Sequence, residues 1–218
     1  MQFAVIGLGR FGSTAACELQ QLDNHITGID LDEKEVEKVS ERLTYSVILD
    51  STDKRALEEL NIADYDGVLV AIGENLEASL VTVINLIDLN VQNIWVKAKN
   101  EAHALMLEAL GVEHIIRPEH DMGIRIAQAM NYPMIKQSIP LGNNHFLVKL
   151  LIENSGLTVN SLLGKYPHLQ LVSIIRRQEE IIRHFSDDFP LLPADRLLII
   201  GSLTDLKQLA KDLKTVKK

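Results

Sequence analysis

Three glycines near the start of the chain, in Gly7-Leu8-Gly9-Arg10-Phe11-Gly12, stand directly after the apolar run Phe3-Ala4-Val5-Ile6. The chemistry this spacing serves is phosphate binding. The first glycine permits a tight turn, the second lets backbone approach a pyrophosphate, and the third lets the following helix pack closely on the strand. That helix then aims its free N–H groups at the anion. Eighteen residues after Gly12, the run Thr27-Gly28-Ile29 ends in Asp30. A carboxylate there accepts hydrogen bonds from a ribose diol and repels a 2′-phosphate, so NAD or an adenosine nucleotide is expected rather than NADP. Asp32 suits a helix cap better than Asp30 does, because Glu35 follows it at capping-box spacing. A second acidic station, Asp50-Ser51-Thr52-Asp53, closes the third apolar run. Asp50 falls where it could accept from an adenine amine, while Thr52 and Asp53 read equally well as helix caps. Ala71-Ile72-Gly73 ends the fourth run, where small residues leave room for a ligand.

These residues need strands to hold them in one row. Strand-type runs at 3–6, 25–29, 46–49, 67–72, 93–96 and 114–116 alternate with segments of helical period. Leu19 and Leu22 are expected on the inward stripe of the first helix. Val36, Val39 and Leu43 take that place on the second, and Leu57 and Leu60 on the third. The segment 76–89 is apolar on most faces and is predicted to be buried. Such alternation with short connections implies an α/β fold with a doubly wound, six-strand parallel sheet. It stops near Asn131-Tyr132-Pro133, where a proline limits helix continuation. Residues 1–133 are therefore expected to form a Rossmann-like nucleotide-binding domain, and residues 134–218 a small α+β domain. In the latter, strands are predicted at 144–152, 171–176, 181–185 and 196–200, with a short helix at 158–163. Turns are predicted at Glu179-Glu180 and Gly201, and an amphipathic helix at 203–213 carries Leu206, Leu209 and Leu213 on one side.

The chain has 218 residues, of which 46% are hydrophobic and 24% charged, enough for a core without covalent staples. Its single cysteine, Cys17, excludes an internal disulfide and a thiolate zinc site, and points to a reducing compartment. No apolar run reaches the roughly 18–20 residues of a membrane span. The first strand begins at Gln2 without room for a leader, so a cytoplasmic location is expected. The net charge of −8 is unevenly spread. Residues 1–133 hold 10 Lys and Arg against 22 Asp and Glu, whereas residues 134–218 hold 12 against 8. An acidic body argues against nucleic acid as a partner, and the basic tail from Lys207 onward reads as a solvated helix face. A dehydrogenase would need an acid or base set against the nicotinamide. His145, His168 and His184 sit in no catalytic spacing, and HExxH, GxSxG and GxxxxGK[ST] are absent. The nucleotide is expected to be sensed rather than consumed. A small NAD-dependent oxidoreductase, or a nucleotide sensor acting on another target, stays open.

Taken together, Val5-Ile6-Gly7-Leu8-Gly9-Arg10-Phe11-Gly12, Ile29-Asp30-Leu31-Asp32, Asp50-Ser51-Thr52-Asp53, Val70-Ala71-Ile72-Gly73 and Arg117-Pro118-Glu119 resemble the RCK (regulator of potassium conductance) domain. With Asp195-Arg196-Leu197-Leu198-Ile199-Ile200-Gly201, the likeness runs over nearly the whole chain and extends to the cytosolic gating subunits of Trk/Ktr-type bacterial potassium uptake systems. The resemblance implies a non-enzymatic homodimer that assembles into a ring, usually of eight. The ring would lie peripheral to the inner face of the cell membrane through a membrane-embedded potassium-conducting subunit. Exchange of ATP against ADP, or of NADH against NAD, would change its shape. The resemblance also implies phosphate contacts from Gly7, Gly9 and Gly12, with Phe11, Leu31, Ser51, Ala71, Ile72 and Gly73 around the nucleotide. Asp30 would bind ribose and Asp50 adenine. Arg10 would reach a terminal phosphate across the dimer interface; otherwise it is a solvated cation at a helix start. Lys97 matches a position near the ligand. Glu119 matches one that binds a divalent cation, unless it is simply a carboxylate favoured at a helix start. In the second domain, Ile174, Ile175, Arg176 and Pro190 would line a cyclic di-AMP site.

Overall fold

A strand followed by a helix must return over its sheet before the next parallel strand can pair, which fixes the handedness of each crossover. The computed structural model describes every residue except 132–134, 178–179 and 216–218. Its first part runs β1 (Gln2–Ile6), α1 (Arg10–Gln21), β2 (His25–Asp30), α2 (Glu33–Glu37), β3 (Tyr45–Ile48), α3 (Lys54–Glu59), β4 (Gly67–Val70), α4 (Leu76–Asp88), β5 (Ile94–Lys97), α5 (Glu101–Ala109) and β6 (His114–Ile116). The six strands pair in parallel in the order β3-β2-β1-β4-β5-β6. The order reverses at β1 and β4, so the loops at their carboxyl ends flank a crevice.

Alternate residues of each strand face opposite sides of the sheet, which therefore carries two cores. Ala4 and Ile6 join Val70, Val83, Leu86, Val96 and Leu107 in one. Val5 joins Leu8, Ala16, Cys17, Ile26 and Val39 in the other. The structure departs from the expected stripes where helices end early. Leu22 lies just past α1 and is 71% exposed. Val39 and Leu43 are buried, but from the turns after α2. Leu60 caps α3 and is partly buried. The α4 helix is not covered all round: Val83 and Leu86 are fully buried, but Ile84 and Ile87 are 43% and 39% exposed.

The chain divides into two compact units, Met1–Glu119 and His120–Lys218. The boundary expected after Pro133 lies outside the described residues, and the observed division falls at the start of α6 (Pro118–Asn131), the helix whose start the sequence offered at Glu119 and whose continuation it limited at Pro133. The second unit continues with β7 (Ile135–Gly142), β8 (His145–Leu151), β9 (Leu157–Thr158), α7 (Val159–Leu163), β10 (Gln170–Arg176), β11 (Glu180–Ile182), β12 (Pro190–Leu191), β13 (Arg196–Ser202) and α8 (Leu203–Thr215). Five of these strands form an antiparallel sheet in the order β11-β10-β13-β8-β7. Leu206, Leu209 and Leu213 of α8 pack with Leu150, Ile174, Leu197 and Ile199, on the stripe the sequence predicts. One expected turn is corrected, and the other falls partly outside the described residues, between the antiparallel strands β10 and β11. Gly201 is buried inside β13, where an added Cβ would stand 2.1 Å from Leu169 Cδ2, so the glycine answers a close approach rather than a turn. Glu180 begins β11, while Glu179 lies outside the described residues. Among the described residues no helix is long and apolar enough to cross a membrane.

Candidate nucleotide site

The glycine loop leaves β1 and enters α1, and its three glycines meet different demands. Gly7 has φ +93°, and a Cβ on it would lie 2.9 Å from the Ala71 carbonyl carbon; one on Gly12 would lie 1.8 Å from the Gly7 carbonyl oxygen. Both are required by the protein's own backbone. Gly9 is not: its φ is −61°, and a Cβ there would meet no atom within 4 Å. Its bareness serves only the space in front of it. Gly9 is also the N-cap of α1 and offers no side-chain cap, so the N–H groups of Arg10, Phe11 and Gly12 lack intrahelical acceptors. This is a cradle that fits a phosphate.

Asp30 fastens the loop to the end of β2. Its Oδ2 accepts the Leu8 N–H at 2.6 Å and its Oδ1 the Asp32 N–H at 2.9 Å. Asp32 in turn caps α2 by accepting from Lys34 N–H, while the Glu35 carboxylate takes Lys38 instead of closing a capping box. Asp50 is exposed, and its Oδ1 accepts from both the N–H and the hydroxyl of Thr52, bonds that hold its carboxyl below the usual range. Asp53 caps α3. The Ser51 hydroxyl is buried 2.7 Å from that of Thr82, so this side chain serves the core and only its backbone remains for a ligand. Leu31 is exposed.

A cavity of about 680 Å³ opens at the loop. Of the residues the sequence singled out, Gly9, Arg10, Phe11, Ala71, Gly73, Lys97 and Glu119 line it; Gly7, Gly12, Asp30, Leu31, Asp50, Ser51 and Ile72 do not. Thr14, Glu35, Lys38 and Glu74 line it unforeseen. Thr14 was legible in principle, being one helical turn beyond Arg10 on the same face. The Arg10 guanidinium makes no hydrogen bond or ion pair with any described residue. Lys97 Nζ sits 2.6 Å from Glu119 Oε1 and 5.7 Å from the centre of the Phe11 ring. The bond from Lys97 and a backbone N–H hold the Glu119 carboxyl low, the charges of Lys97 and Arg10 assist, and slight burial opposes. A divalent cation does not fit this arrangement. Among the described residues no three His, Cys, Asp or Glu side chains converge, and Glu119 already faces an ammonium.

In the second unit, Ile174 is fully buried and belongs to the core. Arg176 is committed elsewhere: its Nε and Nη2 donate to Asp195 at 3.0 and 2.8 Å, and Nη2 also donates to the Pro190 carbonyl. Of the four residues considered for a cyclic di-AMP site, Pro190 is exposed and Ile175 is half-buried.

Residues 3–118 match the TrkA-N domain. The chain is 37% identical over 215 residues to the Ktr system potassium uptake protein C of Bacillus subtilis, spanning 96% of each. It is 32% identical over 215 residues to the Ktr system potassium uptake protein A of Vibrio alginolyticus, spanning 97% of each. Among solved structures, the GsuK RCK domain superposes with a TM-score of 0.62 at 14% identity, over 96% of this chain and 47% of that one. A GsuK channel bound to NAD gives 0.62 at 14% identity, over 97% and 39%. The Rossmann-like sheet followed by a smaller sheet-rich unit is thus the RCK fold. The chain belongs to the TrkA-N domain family, with the Ktr system potassium uptake proteins as relatives along nearly its full length.

Proposed function

We propose that this chain is the nucleotide-binding regulatory subunit of a potassium uptake system. An adenine nucleotide, from the ATP/ADP or the NAD/NADH pair, binds at the glycine loop. Its exchange changes the conformation of a homo-oligomeric ring, built from dimers and of about eight subunits, under a membrane-embedded potassium-conducting partner at the inner face of the membrane. The observation that carries the reading is Gly9, which no described residue requires to be glycine and which opens on a cavity of about 680 Å³. The Ktr relatives, matched over 96–97% of each chain, support potassium uptake as the process served.

In this reading the N–H groups at the start of α1 hold the phosphates, and Asp30 uses its remaining lone pairs for the ribose diol. Asp50, in the loop that follows β3, takes the adenine. The ligand is exchanged and not turned over, so it should be recovered chemically unchanged after incubation with the protein. A nucleotide shifts the ring only through its differential affinity for two conformations. Arg10, exposed and without a partner among the described residues, supplies that difference by reaching the terminal phosphate of a nucleotide on the neighbouring subunit. Mass spectrometry of the nucleotide retained by the native protein, together with the native oligomer mass, tests the reading. A monomer without affinity for ATP, ADP, NAD or NADH would refute it. Arg10→Ala should bring the ATP and ADP affinities closer together; an unchanged ratio would remove the role given to Arg10.

A further inference from the structure

Two of the cations that line the cavity are already taken by carboxylates of the same chain. Lys38 is held by Glu35 at 2.5 Å, and Lys97 by Glu119 at 2.6 Å. The second pair is asymmetric. The Lys97 side chain is only 13% exposed, at the end of β5, with its Nζ beside the Phe11 ring and 3.7 Å from where a Cβ on Gly73 would stand. The Glu119 side chain is 73% exposed, on the second residue of α6. A largely buried ammonium stripped of its counter-ion is costly, whereas an exposed carboxylate returns to water at little cost. If a second anion enters the cavity, Glu119 is the group that leaves.

We propose that Glu119 is a built-in competitor of the ligand. It neutralises Lys97 in the empty chain, and a nucleotide gains the ammonium only by placing a phosphate where the Glu119 carboxylate stood. The inference rests on the nucleotide reading above and adds to it a selection rule. A phosphate-bearing ligand that reaches past Gly9 breaks the pair, and a nucleoside does not. It also accounts for the misfit of a divalent cation at Glu119, since Lys97 occupies the place of one. The exchange would release a carboxylate in the first turn of α6, the segment through which the chain passes from its first unit to its second.

Calorimetric titration of the full-length protein with ADP, in buffer containing EDTA and no divalent metal, tests this in four forms: wild type, Glu119→Gln, Lys97→Met and the double variant. Removing the competitor should tighten ADP binding by roughly two- to fivefold, the range expected for a pair with one exposed partner. Lys97→Met, which keeps the aliphatic stem, should weaken ADP binding, and in that background Glu119→Gln should add nothing. Adenosine should bind wild type and Glu119→Gln alike. The proposal fails if Glu119→Gln leaves ADP affinity unchanged or lowers it, or if the tightening survives in Lys97→Met. A wild type that binds no adenine nucleotide overturns the nucleotide reading and this proposal together. Binding without the tightening overturns this proposal alone.

Discussion

A methyl group added at Gly12 would stand 1.8 Å from the Gly7 carbonyl oxygen, whereas one added at Gly9 would meet nothing within 4 Å. Backbone cannot yield to the first, so Gly12→Ala should destabilise the first unit by about 1–3 kcal/mol or more. Gly9→Ala should cost under about 1 kcal/mol, as expected for a change of N-cap residue, yet lower nucleotide affinity at least tenfold. Thermal unfolding of both variants, paired with ADP titration, checks this; a Gly9→Ala protein that melts as early as Gly12→Ala would contradict the roles assigned. In the second unit, Asp195 is 1% exposed. Burial pushes its carboxyl up, but the bonds from Arg176 and the Leu192 N–H, with the Arg176 charge, outweigh burial and leave it below the ordinary value. A depressed folded pKa means that the carboxylate contributes stability above its unfolded pKa of about 3.9 and loses it as pH falls through the folded value. Asp195→Asn, which leaves Arg176 without its counter-charge, should therefore cost about 3 kcal/mol at pH 7. The two urea-unfolding curves followed by circular dichroism should converge below about pH 4. Parallel loss of stability in both proteins down to pH 3 would rule out Asp195 as the source.

The sequence-to-element step is strongest where an apolar stripe faces a core, as in α8, and weakest where the stripe faces none. The α6 helix shows why. Met122, Ile126 and Met130 fall at i, i+4 and i+8, one stripe of the helix, but all three are at least half exposed in the single chain. They mark no core for a periodic reading to find. If assembly into the proposed ring uses this stripe, Ile126→Asp should lower the oligomer mass seen by native mass spectrometry while leaving the ADP affinity of the subunit intact. An unchanged mass would remove α6 from the interface. The β13 strand makes the complementary point. Gly201 reads locally as a turn, but pairing with Phe146 of β8 keeps it within the strand, and Leu169, 32 residues earlier, closes on it so that only glycine fits.

Over the whole molecule, the cores of Met1–Glu119 and His120–Lys218 are built from separate sets of side chains. Trp95, the single tryptophan of the chain, lies in the first. A ligand that binds only folded protein stabilises it by about 2.7 kcal/mol at a hundredfold excess over Kd. ADP should therefore shift the tryptophan-detected melting midpoint upward and leave a second calorimetric transition, from the other unit, near its ligand-free position. A single transition that shifts as a whole would instead show that the units unfold as one. The charge imbalance follows the same division in outline, with the acidic excess falling in the part that carries the glycine loop.

From its sequence alone, the chain determines the six-strand alternation, the glycine loop and the acidic residues at the ends of β2 and β3. Each depends on turn chemistry or periodicity that acts over a few neighbouring residues. The likeness of those motifs to the RCK domain was legible for the same reason, since it rests on short contiguous runs such as Gly7 to Gly12. The tertiary structure alone decided what surrounds the loop. Thr14, Glu35, Lys38 and Glu74 reach the cavity from three different segments. Lys97 meets Glu119 across 22 residues of chain, and Ser51 turns its hydroxyl inward to Thr82 because α4 packs over it. Contacts between elements depend on how their faces settle against one another, and no local pattern encodes that.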